Sequence, residues 1–176
     1  SLKVNPMMRT LACLLVLLLL FVMPASAQDD PVVLPSVETV ESPGDGATDA
    51  VVLLHPTNLD LSLILGSDDN IGLAVYNFDG TQRQLLEVGS VKYIDVRYNF
   101  PLGARRISLI SAAMEDQPLV DVFAVDLDTG EVEPIGAVET GVAVASACLY
   151  RSPLTDTYYV FASDDDGYVE QYALDG

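Results

Sequence analysis

The groups in this sequence able to do chemistry are almost all acids. Among 176 residues, 26 are Asp or Glu against 8 Lys or Arg, so the formal charge is -18 with the single His neutral. A surface of that sign repels phosphate backbones, which argues against nucleic acid as a partner. It suits a hard cation such as calcium, which takes carboxylate oxygens. Carboxylates are densest in two runs, Asp68-Asp69 and Asp164-Asp165-Asp166, each with a Gly close behind. Asp and Gly together also close hairpin turns, so both readings stand for these runs. His55 precedes Pro56 and reads as a strand-end residue rather than a catalyst. Cys13 lies in a leading apolar run, which leaves Cys148 alone in the mature chain. It can form no internal disulfide there and reads as a small core residue.

The elements that must position these groups follow a leader. Leu11 to Met23 is an unbroken apolar run after Arg9, and Ala25-Ser26-Ala27 closes it. That pattern is a secretory signal peptide over residues 1–27, with residues 1–6 as extra sequence before a start at Met7 or Met8. A membrane anchor is the alternative, but the run is shorter than the roughly 20 residues that span a bilayer as a helix. The expected destination is secreted or periplasmic, with no membrane attachment after cleavage. Residues 28–47, rich in Pro, Asp, Glu and Ser, form an exposed lead-in with a possible short strand at Val32 to Leu34.

From residue 48 onward, short β-branched and aromatic runs alternate with Gly, Asp, Asn and Pro. Eleven strands are predicted, the first at Val51 to Leu54 and the last at Tyr168 to Ala173, and no helical stripe is sustained. One phrase recurs: Leu73-Ala74-Val75-Tyr76-Asn77, then Asp121-Val122-Phe123-Ala124-Val125, then Glu170-Gln171-Tyr172-Ala173-Leu174. Its aromatic anchors Tyr76, Phe123 and Tyr172 are 47 and 49 residues apart. About four strands per such period is the pattern of propeller blades. The expected fold is therefore all-β, a β-propeller with two to three four-stranded blades, and a two-sheet sandwich is the competing architecture. A propeller needs roughly four to eight blades to close its ring. The piece is therefore expected to be partial, or to complete its sheets against something else.

Ile94-Asp95-Val96-Arg97-Tyr98-Asn99-Phe100-Pro101-Leu102-Gly103 resembles the Asn-Asn-x-Asp-x-Arg-Tyr-x-Phe motif, with its following Pro-Leu, of the β-propeller phytases. Gly72 to Tyr76, Tyr158-Tyr159 and Glu170-Gln171-Tyr172 are also similar to that family. The resemblance implies a partial domain over 48–176 of a six-bladed, secreted, calcium-dependent phosphatase acting on phytate or another phosphate ester. It implies metal ligands at Asp45 and Asp49, in the stretch where the family has Asp-Ala-x-Asp-Asp-Pro-Ala-x-Trp; Asp164, Asp165 and Asp166, where the family has no such run, could recruit calcium by their own carboxylates or simply close a turn. Arg97 matches a family position where a guanidinium could meet a phosphate, although an acid partner such as Asp95 is the alternative.

Much of what the family uses to hold phosphate is replaced. Thr48 stands for an acid, Ser67-Asp68-Asp69 for a lysine region, Lys92-Tyr93 for two asparagines and Asp164-Asp165-Asp166-Gly167 for a Lys-Glu pair. Exchanging a cation for a carboxylate moves the local charge by two units against an anionic substrate. Two expectations follow. One is a phosphohydrolase whose chemistry is completed by further sequence. The other is a non-catalytic propeller module, partnered by the remaining blades or by a second, intact phytase domain.

Overall fold

The computed structural model describes residues 33–115 and 117–176; the signal-peptide reading and Val32 lie outside them. Residues 33–35 carry no regular structure, and neither Val33 nor Leu34 is in a strand. From Ser36 onward the chain forms three antiparallel sheets. Sheet 1 holds β1 (Ala47–Leu53), β2 (Leu63–Asp68), β3 (Gly72–Asn77) and β4 (Gln82–Glu87) in that spatial order. Sheet 2 holds β5 (Val91–Leu102), β6 (Arg105–Met114), β7 (Leu119–Asp126) and β8 (Glu131–Glu139), again in order. Sheet 3 has three strands, β9 (Ser146–Arg151), β10 (Tyr158–Ser163) and β11 (Val169–Leu174). Simple up-and-down sheets repeated in this way are propeller blades. The recurring phrase is the third strand of each blade, with Tyr76 opposite Ile64, Phe123 opposite Ile110 and Tyr172 opposite Val160.

The first strands β1, β5 and β9 lie side by side, with β5 packed against both others. One core fills the space between sheets 1 and 2, from Leu53, Leu65, Leu73 and Val75 on one side and Ile94, Ile110, Phe123 and Val125 on the other. A second lies between sheets 2 and 3, from Leu109, Val120, Val122 and Ala124 to Leu149, Tyr158 and Val160. Sheet 2 is thus covered on both faces. This explains why Ile107 to Met114 is buried without interruption, whereas β10 alternates between buried and half-buried residues. At the second interface the Phe100 and Tyr158 rings meet edge to face at 5.1 Å, and Tyr158 Oη donates to the Tyr98 carbonyl at 2.6 Å. Cys148, expected in the core, is instead exposed. Its neighbours in β9, Ala147 and Leu149, take the inward positions, so the period of two turns it outward.

The stretch from Ser36 to Gly46 is a strap laid on sheet 1. Val40 N–H donates to Gly80 O at 3.1 Å, and Asn70 Nδ2 donates to Gly44 O at 2.9 Å. Gly80 has φ 88, and a Cβ there would collide with the Glu38 carbonyl, so only glycine allows this approach. Tyr76 is on the side of sheet 1 facing away from sheet 2, yet only 4% exposed. Burial, and secondarily the Asp68 charge, push its hydroxyl above the ordinary tyrosine range, with a Ser42 hydrogen bond opposing them.

Candidate functional site

The starts of β1, β5 and β9 and the turns after β2, β6 and β10 gather at one end of the blades, where Asp45, Asp49 and Asp164 to Asp166 lie, whereas Arg97 stands midway along β5. Asp45 is exposed in a left-handed turn (φ 57), its N–H donating to Ser42 O at 3.1 Å. Asp49 spends both carboxylate oxygens on backbone: Oδ1 accepts Ala50 N–H at 2.8 Å and Oδ2 accepts Ile94 N–H of β5 at 3.1 Å. Asp95 repeats this one blade on, with Oδ1 on Val96 N–H at 2.7 Å and Oδ2 on Leu149 N–H of β9 at 2.8 Å. The first strands β1 and β5 therefore each lend a carboxylate to the first strand of the next sheet. Such charge-assisted bonds are roughly twice as strong as neutral ones. Arg97 Nη1 lies 2.7 Å from Asp95 Oδ1 and donates to the Val96 carbonyl at 2.6 Å.

Hydroxyls extend the same seam. Thr48 Oγ1 and Ser67 Oγ both donate to the Lys92 carbonyl in β5, at 2.9 and 3.1 Å. Ser67 Oγ also receives Asp49 N–H at 3.0 Å. Its counterpart Ser111, opposite Asp95 in register, is buried with a hydroxyl that has no partner. Asp68 is 1% exposed and anchors the strap. It accepts the Ser42 hydroxyl, Asn70 N–H at 2.9 Å and Gly46 N–H at 3.4 Å. Burial pushes its carboxyl up, but the donors from Ser42, Asn70, Gly46 and Ile71 together outweigh that and hold it below its usual value.

A cavity of about 240 Å³ lies between sheets 2 and 3 at this end, lined by Lys92, Glu115, Ala143 to Ala145 and Asp164 to Asp166. Lys92 Nζ is 3.0 Å from Glu115 Oε1, and Ser90 Oγ donates to Glu115 Oε2 at 2.8 Å. The hydrogen bond from Lys92, then that from Ser90 and the Lys92 charge, hold the Glu115 carboxyl below its usual value. Asp164 Oδ1 closes the β10–β11 turn on Tyr168 N–H at 2.8 Å. Among the described residues no three His, Cys, Asp or Glu side chains converge in a group that could hold a metal ion. Protein donors already occupy part of the acceptor capacity of Asp49 and Asp68. These residues by themselves do not compose a calcium cage, which needs six to eight oxygens.

A larger cleft, about 920 Å³, opens at the opposite end between sheets 1 and 2. Its arginines are engaged, Arg105 with Glu133 at 3.5 Å and Arg106 with the Asn99 carbonyl at 2.9 Å. His55, 7% exposed, accepts Thr57 and Asn58 N–H on Nδ1 at 3.3 and 3.0 Å and turns Nε2 toward Asp128 at 3.6 Å. It shapes the loop after β1. Sequence reasoning did not reach the seam of Asp49 and Asp95 or the Asp68 anchor. The 46-residue spacing of the two aspartates, close to the repeat, is the signal that carried it.

The chain matches the family model described as Phytase over residues 5–176. A 3-phytase of Bacillus subtilis (strain 168) is 29% identical over an alignment of 144 residues that covers 78% of this chain and 38% of that protein. The chain thus spans well under half the length of this curated relative.

Proposed function

Because the chain belongs to the phytase family, we propose that it is a propeller module of a secreted, calcium-dependent phosphomonoester hydrolase and does not hydrolyse phytate by itself. The observation that carries this reading is the state of the charged groups at the acidic end. Lys92, the cation lining the cavity there, is paired with Glu115, and the carboxylates of Asp49 and Asp68 are engaged by protein donors. Phosphoryl chemistry depends on positive charge placed in advance where negative charge develops, and losing one such donor costs about a hundredfold to a thousandfold in rate. Calcium, where the family's domain holds it, neutralises the phosphate and activates water. On this reading the metal ligands and phosphate-holding groups come from the remaining blades or from a second, intact phytase domain. The Bacillus relative is named for phytase activity, which supports phytate as the substrate of the complete assembly. Export is supported by the leading apolar run, and among the described residues no helix is long and apolar enough to cross a membrane.

The test is phosphate release from phytate by the purified exported chain over a calcium titration. No release above the uncatalysed background is expected at any calcium level. Turnover that Asp45→Ala abolishes would overturn the reading, because Asp45 is exposed and its loss leaves the blade seams intact.

A further inference from the structure

The cleft of about 920 Å³ between sheets 1 and 2, at the end remote from the acidic runs, is within the size range of small-molecule sites. Donors and acceptors line it together. His55 Nδ1 accepts the Thr57 and Asn58 N–H groups, so the ring proton sits on Nε2. Nε2 faces Asp128 Oδ1 at 3.6 Å, too far for a hydrogen bond, and keeps that proton to give. Tyr98 Oη accepts the N–H of Leu54, the residue before His55, at 2.8 Å. Its own proton has no acceptor among the described residues. Arg106 spends one N–H of its guanidinium on the Asn99 carbonyl and has others to give. Two acceptors line the same cleft, Asp128, whose side chain is 95% exposed, and Glu131. The remaining charges are occupied: Glu133 pairs with Arg105, and Asp126 accepts the Asp128 and Thr129 N–H groups of its own turn.

We propose that this cleft binds an uncharged polyhydroxyl ligand, a saccharide. The ligand must accept from His55, Tyr98 and Arg106 and donate to Asp128 and Glu131 within one site. A hydroxyl does both. A hydroxyl oxygen seated beside His55 and Asp128 reaches both groups and bridges the 3.6 Å gap between them. A phosphate would satisfy the donors but meet Asp128 and Glu131 with like charge, and a cation would satisfy those two but meet Arg106. Tyr98, 38% exposed, adds aromatic surface for the C–H face of a sugar ring. The donors are held in place before any ligand arrives. His55 is 7% exposed and pinned through Nδ1, and Tyr98 and Arg106 stand on the paired strands β5 and β6. A saccharide bound here leaves the acidic end open, so the site would anchor the exported chain to a glycan without occupying that end. The proposal rests on the cleft alone and not on the absence of catalysis.

The experiment titrates the isotope-labelled exported chain with cellobiose and with maltotriose, a β-linked and an α-linked glucose oligomer, and follows amide chemical shifts. Parallel titrations use myo-inositol, inorganic phosphate and putrescine. At least one of the two sugars should shift the Leu54, His55 and Asp128 amides saturably, while phosphate and putrescine leave them in place. Tyr98→Phe and Asp128→Ala should each raise that Kd at least about fivefold, the loss of a hydrogen bond to the ligand. Both variants should fold, because Asp128 is exposed and Leu54, half exposed, can turn its amide to water. No saturable shift with either sugar would overturn the proposal, as would affinity for the sugars that neither substitution weakens. Tighter binding of phosphate or putrescine at these amides would overturn the uncharged ligand, and tighter binding of myo-inositol would overturn the saccharide. The titration reads neither phosphate release nor metal, so its failure is separable from failure of the functional reading.

Discussion

Asp95 offers the sharpest test of how the blades are held together. Its carboxylate takes Leu149 N–H from the next sheet, Val96 N–H from its own strand and one Arg97 nitrogen, all at 2.7 to 2.8 Å. The side chain is 22% exposed, so water replaces these partners only in part. Asp95→Ala removes three charge-assisted bonds and strands an amide between two sheets. A hydrogen bond to a charged group contributes about 1.5–3 kcal/mol, and a buried donor left unpaired costs about 1–3 kcal/mol. These overlap, since the Arg97 and Val96 groups can turn to water, so the net expectation is about 3 kcal/mol. For a domain of this size that lowers the melting temperature by roughly 6–12 °C. Asp95→Asn keeps an acceptor oxygen for Leu149 and should cost about 1 kcal/mol. Thermal unfolding followed by circular dichroism gives the energies, and hydrogen exchange gives the location. The Leu149 amide should lose protection while the Ile94 amide, held by Asp49, keeps it. An alanine variant within about 0.5 kcal/mol of the parent, or equal loss of protection at both amides, would refute a seam made of separate carboxylate locks.

Two further outcomes follow from the titrating groups. Asp68 has a folded-state pKa below its unfolded value, so its contribution is present above the unfolded value and is lost as pH falls through the folded one. The strap should therefore release on acidification before the sheets unfold, seen as loss of protection at the Val40 and Gly46 amides. Asp68→Asn should produce the same release at neutral pH. Asp121 is half-buried in β7, and burial raises its pKa, so the sign reverses: its stabilising form is the protonated one, favoured at low pH and lost as pH rises. Asp121→Asn should raise the melting temperature at pH 7, by under about 1 kcal/mol in stability. The gain should shrink toward acid pH, and an unchanged gain there would contradict the burial argument.

All eleven strands were legible in the sequence because the repeat is local, a β-branched run closed by a polar turn. Where boundaries moved, the reason is physical. β5 runs to Leu102 rather than ending at Tyr98, because a bulge at Asn99, with φ 63, restarts the pairing at Phe100 opposite Ile107. Pro101 and Pro134 are tolerated within strands because β5 and β8 are the edges of sheet 2, where a missing N–H need not break a ladder. The Asp-Gly turn after Asp164 was likewise readable. The roles of the other acids were not. Composition cannot distinguish a carboxylate that waits for a cation from one already committed to an amide 45 or 54 residues away. Cys148 was misplaced for a related reason: which side of β9 faces sheet 2 is set by the neighbouring sheet and not by β9 itself.

Chains emerge from the ribosome amino end first, and a partly made sheet is most exposed to wrong pairing during that interval. The strap is synthesised before β1, and it shelters the side of sheet 1 that faces away from sheet 2. Once β3 and its turn at Gly80 exist, that side can close at once, leaving each new blade a single fresh face on which to grow. Growth is thereby given a direction. A variant that loosens the strap should show its effect less in the finished protein than in the yield of chains that reach it, because the vulnerable moment has passed by the time β11 is made.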